Sequence, residues 1–215
     1  LKKFSLNKIN PKLALKYRFF HQCQQQPIDP ACGQFQIRTA IPADLLDVAQ
    51  IIAESFHSHK GIWGWAFPLL RLGIYEDLRH RMVSPPPRHI CLVAFEATSS
   101  AANNLVGSVE LGVRYSDSWS QAGMGFPYLS NLAVHPKYRR HGVASGLLTS
   151  CEKVSREWGF QDLYLHVLEN NHRARQLYFK VGYQVHKVES NWNTFLLGHS
   201  SQMLLHKHLS LDSTI

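Results

Sequence analysis

Between Asn131 and Leu148 the chain reads NLAVHPKYRRHGVASGLL, a short apolar run, then Arg139, Arg140, His141 and Gly142, then an amphipathic run. A strand that feeds directly into a helix leaves backbone N–H groups unpaired at the helix start, and these together with the helix dipole attract phosphate. The six residues RRHGVA, Arg139 to Ala144, sit at such a junction. Gly142 permits close backbone approach and conformations that a side chain forbids, Ala144 keeps the first turn narrow, and the two arginines add charge for a polyphosphate. The same six residues also describe an ordinary solvated basic loop, so the elements around them have to decide.

Composition bounds the options. The 215 residues are 45% hydrophobic and 18% charged, which fits one globular domain with an appended arm. A formal charge of +8, from 23 Lys and Arg against 15 Asp and Glu, suits a polyanionic ligand, a nucleic acid or an anionic surface equally. Cys23, Cys32, Cys91 and Cys151 are widely spread with no C-x-x-C pair, so neither a zinc site nor a disulfide framework is indicated. A reducing compartment is the simplest reading. The most apolar stretch, GIWGWAFPLL from Gly61 to Leu70, is too short to span a bilayer and contains a proline, so no membrane partner is expected. Residues 1–34 carry Lys2, Lys3, Lys8, Lys12, Lys16 and Arg18 and no acidic residue before Asp29. They lack the apolar core and cleavage site of a secretory signal and read as a basic, poorly ordered arm, with an organelle transit peptide less favoured because Ser and Arg are not enriched.

From Phe35 the chain is regularly punctuated. FQIRTA reads as a strand, and PADLLDVAQIIAESF as an amphipathic helix with Leu45, Val48, Ile51, Ile52 and Phe56 at helical spacing. LLRLGIYEDLRHRM reads as a weaker helix, interrupted at Gly73 and ended by SPPPR. HICLVAFEA and NLVGSVELGVRY are β-rich and read as an antiparallel pair, and the loop SDSWSQAGMGFP leads to the strand YLSNLAVH. A helix with Val143, Leu147, Cys151, Val154 and Trp158 on one face follows, stopped by Gly159. Then come the strand DLYLHVL, a helix capped by Asn170 or Asn171 and ended by Gly182, and the strands YQVHKV and QMLLHKHL. This order predicts an α/β fold with a mixed sheet and helices on both faces.

With that order in view, the chain resembles the GNAT superfamily of acetyl-CoA-dependent N-acetyltransferases. The family's phosphate motif Q/R-x-x-G-x-G/A follows its fourth strand, and RRHGVA matches every fixed position. A second block, LHVLENNHRARQLYFKVGY, is similar to the family's fifth strand and fourth helix, with Asn171 seven residues before Tyr178 and the L-Y-x-x-x-G-Y ending intact. The resemblance spans residues 35–209 and is particularly close to bacterial and plastid members. It implies a mostly antiparallel central sheet splayed between strands 4 and 5. The expected compartment is the cytoplasm, with the plastid stroma as the alternative.

The resemblance also implies roles. Leu132, Ala133 and Val134 would bind the pantetheine arm of acetyl-CoA, with the Leu132 N–H donating to the thioester oxygen. Arg139, Arg140, His141, Gly142, Val143 and Ala144 would receive the pyrophosphate. Asn171 would cap the helix and also contact the cosubstrate, although capping alone would account for it. Tyr178 would protonate the leaving thiolate; a packed aromatic is the alternative. His166 stands where many protein N-acetyltransferases keep a glutamate base, and an imidazole with a pKa of about 6.5 can take that proton. At the other position where relatives carry a base, this chain has Tyr128, so a water relay stays open, with Glu110 a lesser candidate whose face the sequence does not reveal.

The reaction implied is acetyl transfer from acetyl-CoA to a primary amine by direct attack in a ternary complex, without a metal. A protein N-terminal or lysine amine is favoured over a polyamine, amino acid or aminoglycoside. A non-catalytic acyl-CoA-binding module is the alternative class. Nucleic acid is disfavoured as a partner, since no recognition helix or aromatic-interleaved basic patch is present.

Overall fold

The computed structural model describes residues 35–56, 67–83, 89–97, 104–115, 125–189 and 201–209. The basic arm, SPPPR and most of SDSWSQAGMGFP and ESNWNTFLLGH lie outside these residues. Seven strands form one sheet: β1 (Phe35–Thr39), β2 (His89–Glu96), β3 (Leu105–Tyr115), β4 (Gly125–Val134), β5 (Asp162–Leu168), β6 (Gln184–Glu189) and β7 (Gln202–His208). Their order is β1-β2-β3-β4-β5-β7-β6. Every neighbouring pair is antiparallel except β4 and β5, which run parallel. The mixed, mostly antiparallel sheet expected from the sequence is what forms.

Helices cover both faces. α1 (Leu45–Phe56) and α2 (Phe67–Met82) lie on one face, where Leu45, Val48, Ile51, Ile52 and Leu78 pack with Cys91, Val93, Phe95 and Ala133. α3 (Val143–Glu157) and α4 (His172–Lys180) lie on the other, where Val143, Leu147, Cys151, Val154 and Tyr178 pack with Val109, Leu129, Leu165 and Val167. β2, β3 and β4 split their side chains between the two layers because successive residues point to opposite faces. Burial of the leucine and valine side chains involved stabilises by about 1.5–3 kcal/mol each.

Gly73 and Pro127 are placed differently from expectation. α2 runs unbroken through Gly73, since a mid-helix glycine costs only about 1 kcal/mol and this one faces open space. β4 starts at Gly125 rather than Tyr128, with Pro127 inside the strand opposite Val113. Proline removes one ladder donor, which a strand tolerates near its first residues. At the start of α1, Asp44 accepts from both Arg38 guanidinium nitrogens at 2.6 and 3.0 Å and from the Ile41 N–H at 2.8 Å, tying β1 to the helix entry.

Candidate active site

The β4–β5 contact is short. Only Tyr128↔Tyr164 and Leu129↔Leu165 pair, and beyond them the strands part. The cause lies in β4. Its register against β3 passes from Glu110↔Ser130 to Ser108↔Ala133, so Asn131 and Leu132 together stand opposite Val109. This is a β-bulge, and within it Asn131 adopts a left-handed φ of 52°. The hydrophobic alternation slips accordingly: Leu129 faces α3, and the next residues to pack on that side are Leu132 and Val134. The segment assigned to the pantetheine arm therefore lies on the bulged edge of a wedge-shaped gap.

The loop in which the sequence places the phosphates joins the end of β4 to α3. A 3-10 turn, Pro136–Tyr138, follows β4, held by the His135 N–H donating to the Val106 carbonyl at 2.9 Å and by the Tyr138 hydroxyl donating to Glu96 at 2.9 Å. Arg139 is extended and donates from Nε to the Val134 carbonyl at 3.2 Å. Arg140 and Gly142 take left-handed φ values of 71° and 87°. Gly142 is the N-cap of α3, and no side-chain cap takes the N–H groups of the first turn. The exposed Arg139, Arg140 and His141 surround this end, and Val143 is buried beneath it. Gly107 sets how close the helix comes: a Cβ there would lie 2.9 Å from Val143 Cγ1 and 3.0 Å from the Ala133 carbonyl. The residues present thus fit a polyphosphate through backbone N–H groups, helix dipole and guanidinium charge.

The fold supplies surroundings for the two candidate proton carriers, His166 and Tyr178. Tyr128 and His166 point away from α3, and the Tyr128 hydroxyl lies 2.8 Å from His166 Nδ1, their rings 5.7 Å apart. The Arg114 guanidinium stacks on the Tyr128 ring at 3.5 Å from its centroid. Tyr178 lies on the α3 side, 8% exposed and edge-on to Tyr183 at 5.7 Å. Burial pushes its hydroxyl up to about 12, and the nearby Tyr128 adds to this, so it stays protonated at neutral pH. Tyr178 and the Tyr128–His166 pair belong to opposite faces of the sheet. Asn171, not Asn170, caps α4, its Oδ1 accepting from the Ala174 N–H at 3.2 Å.

Glu110 faces α2 and is 1% exposed. Its Oε2 accepts from Arg81 Nη1 at 3.0 Å and from His89 Nε2 at 2.6 Å, and its Oε1 accepts from Asn131 Nδ2. Burial alone would raise its pKa, but the hydrogen bonds from His89 and Asn131 and the charge of Arg81 outweigh it and hold the carboxyl below its ordinary value. Arg81 is held in turn by Asp77. Sequence reasoning missed Tyr128 as a partner of His166 and missed Asn131, Arg81 and His89 altogether. The slipped alternation in LSNLAV was the available signal for the bulge.

Comparison with known proteins agrees with this fold. The profile of the acetyltransferase (GNAT) family matches residues 47–183. GCN5-related N-acetyltransferase 10, chloroplastic, from Arabidopsis thaliana is 29% identical over 171 residues, covering 76% of this chain and 67% of that protein. Three further chloroplastic relatives from the same plant match over less than half of their own length. In fold, the chain is similar to the PaiA N-acetyltransferase of Thermoplasma acidophilum in complex with coenzyme A, with a TM-score of 0.60, 21% identity, and coverage of 81% of this chain and 98% of that one. It is also similar to Arabidopsis thaliana NAA60 bound to a bisubstrate analogue, with a TM-score of 0.61, 19% identity, and coverage of 82% and 99%.

Proposed function

The chain belongs to the acetyltransferase (GNAT) family, and from that premise we propose that it moves the acetyl group of acetyl-CoA to a primary amine of a protein or peptide by direct attack, with Tyr128 and His166 as the proton-accepting pair. The observation that carries this reading is the 2.8 Å contact between the Tyr128 hydroxyl and His166 Nδ1 beside the β4–β5 gap. With His166 Nδ1 as acceptor, the Tyr128 oxygen can take a proton from the attacking amine while its own proton passes to the imidazole. His166 becomes the cation, and no carboxylate is required. Tyr178, protonated at neutral pH, donates to the leaving sulfur from the opposite face. The Leu132 N–H faces the developing charge on the thioester oxygen. The arginines and the first turn of α3 hold the phosphates. Acetyl-CoA supplies the activated acyl thioester; the residues named here orient it and move the protons.

A protein or peptide acceptor is supported by the surface that continues from this pair. Phe126, Tyr164, His186 and His206 form a chain of ring contacts along the same face, with centroids 4.9 to 5.9 Å apart. Such an extended aromatic floor suits a chain lying across the sheet better than a compact amine. The relatives' names support the plastid over the cytoplasm as the place of action.

The test is a mass-spectrometric acetylation assay that sets a proteome-derived peptide library against polyamines, amino acids and aminoglycosides. Peptide amines are expected to dominate, and preferential acetylation of a small amine refutes the acceptor class. His166→Gln should lower kcat/KM and abolish the acidic limb of its pH profile, and Tyr128→Phe should lower kcat by about a hundredfold, within the range for a lost acid–base group. An acidic limb that survives in His166→Gln at near-normal rate removes the imidazole from the mechanism.

A further inference from the structure

We propose that Glu110 is a positioning residue of the acyl-transfer site: clamped by Arg81 and His89, it holds Asn131 in the left-handed conformation that bulges β4 and aims the Leu132 N–H into the gap. Four observations meet here. Glu110 is 1% exposed yet keeps its negative charge, with a guanidinium and an imidazole on one oxygen and the Asn131 amide on the other. Asn131 is one of two non-glycine residues with positive φ among the described residues, and the other, Arg140, lies in the phosphate loop. The bulge falls at Asn131 and Leu132, where β4 and β5 have just stopped pairing. Finally, the three residues holding the carboxylate come from α2, β2 and β4, so it joins three elements at the point where the strand is most irregular.

The physical reason is directional. A left-handed φ is uncommon outside glycine; asparagine tolerates it, and a fixed hydrogen bond from the side chain selects it over the ordinary extended and helical conformations. The Glu110 carboxylate can only accept, so it fixes the Asn131 amide with Nδ2 toward β3. The rotation this imposes at Asn131 sets the orientation of the next peptide unit, whose N–H belongs to Leu132. Glu110 therefore contributes through Asn131, and its saturated oxygens are engaged in that clamp instead of collecting the amine proton.

The proposal rests on the Leu132 N–H as donor to the thioester oxygen, and the experiment keeps the two apart. Acetyl-CoA carrying carbon-13 at the acetyl carbonyl is bound to the wild-type protein and to Glu110→Gln, Asn131→Gly and the double variant, and the carbonyl stretch is compared with that of the free thioester. A hydrogen bond from the protein lowers this frequency. Wild-type binding with no shift overturns the Leu132 donor itself. A wild-type shift that Glu110→Gln keeps, with kcat unchanged, overturns only the positioning role.

The expected result is that Glu110→Gln returns the band most of the way to the free value and lowers kcat roughly tenfold or more, the scale of a misdirected oxyanion donor, while leaving the shape of the pH profile intact. Glycine adopts the left-handed φ without help, so Asn131→Gly should lose much less, and Glu110→Gln should then add no more than about a twofold loss. An equal loss in both backgrounds shows that Glu110 does not act through Asn131. Should Glu110→Gln not fold, Asn131→Ala against Asn131→Gly decides: alanine is expected to lose the band shift and glycine to keep it, and identical behaviour overturns the proposal.

Discussion

Gly142 offers a quantitative test of where the phosphates bind. Its φ of 87° and ψ of −9° lie in the left-handed region, at the N-cap of α3. Alanine in that conformation costs about 1–2 kcal/mol, which in a chain of this size corresponds to a fall in Tm of about 2–8 °C. That strain exists with and without ligand, so by itself it leaves affinity untouched. Relieving it by a change of φ, however, turns the peptide joining Gly142 to Val143 and takes the Val143 N–H off the phosphate. A hydrogen bond to a charged group is worth about 1.5–3 kcal/mol, so acetyl-CoA should bind roughly 10- to 150-fold more weakly. Gly142→Val should do at least as much. Gly142→Asn separates the two causes, because asparagine tolerates the left-handed region but still carries a Cβ. Recovery in the asparagine variant identifies the conformation as what matters, and a loss equal to that of alanine identifies steric approach. Calorimetry with acetyl-CoA and thermal unfolding are run on the same samples. Folded Gly142→Ala and Gly142→Val proteins with wild-type affinity would show that the phosphates do not bind at this loop.

Tyr178 on α4 and Asn171 at its N-cap yield further tests. Tyr178→Phe should lower kcat by about a hundredfold with little change in acetyl-CoA affinity; an unchanged kcat, measured where chemistry limits the rate, makes Tyr178 a packing residue. The same variant tests the buried hydroxyl. Tyr178 titrates at about 12 in the folded protein and near 10 in the unfolded chain. The folded state thus keeps a proton that the unfolded state releases between these values, and stability falls as pH rises through this window by roughly 3 kcal/mol. Tyr178→Phe should flatten that fall in alkaline unfolding curves, and an equal slope in both proteins contradicts it. Asn171→Ala should cost about 1 kcal/mol as a lost cap, whereas Asn171→Ser restores the cap. Wild-type acetyl-CoA affinity in Asn171→Ser confines Asn171 to capping, and a persistent loss supports a cosubstrate contact.

Much of the fold could be read from local pattern. Alternation marked the strands, i, i+3 and i+4 spacing marked α1 and α3, and RRHGVA announced a helix start with an uncapped, glycine-bearing turn. These signals are carried by neighbours in the chain, and each element answers to its own periodicity. The misreadings at Gly73 and Pro127 arose where a residue with poor intrinsic propensity is carried by the element around it. Candidate residues His166, Asn171 and Tyr178 were legible because their spacing repeats a family pattern, but their partners were not.

Partnership is a matter of register. Tyr128 and His166 are 38 residues apart, and they meet because parallel pairing sets Tyr128 against Tyr164 and the two-residue period brings His166 to the same face. Glu110 could be a surface acid or a buried one until β3 was laid beside β2 and α2, when Arg81 and His89 closed on it. The bulge at Asn131 depends on both. Residue types and local spacing thus specified the elements, and the family resemblance of two motifs implied the class of chemistry. Long-range pairing chose which side chains share a hydrogen bond and which carboxylate is sealed in a clamp, because a strand's face and register are set by the neighbours it finds across the sheet.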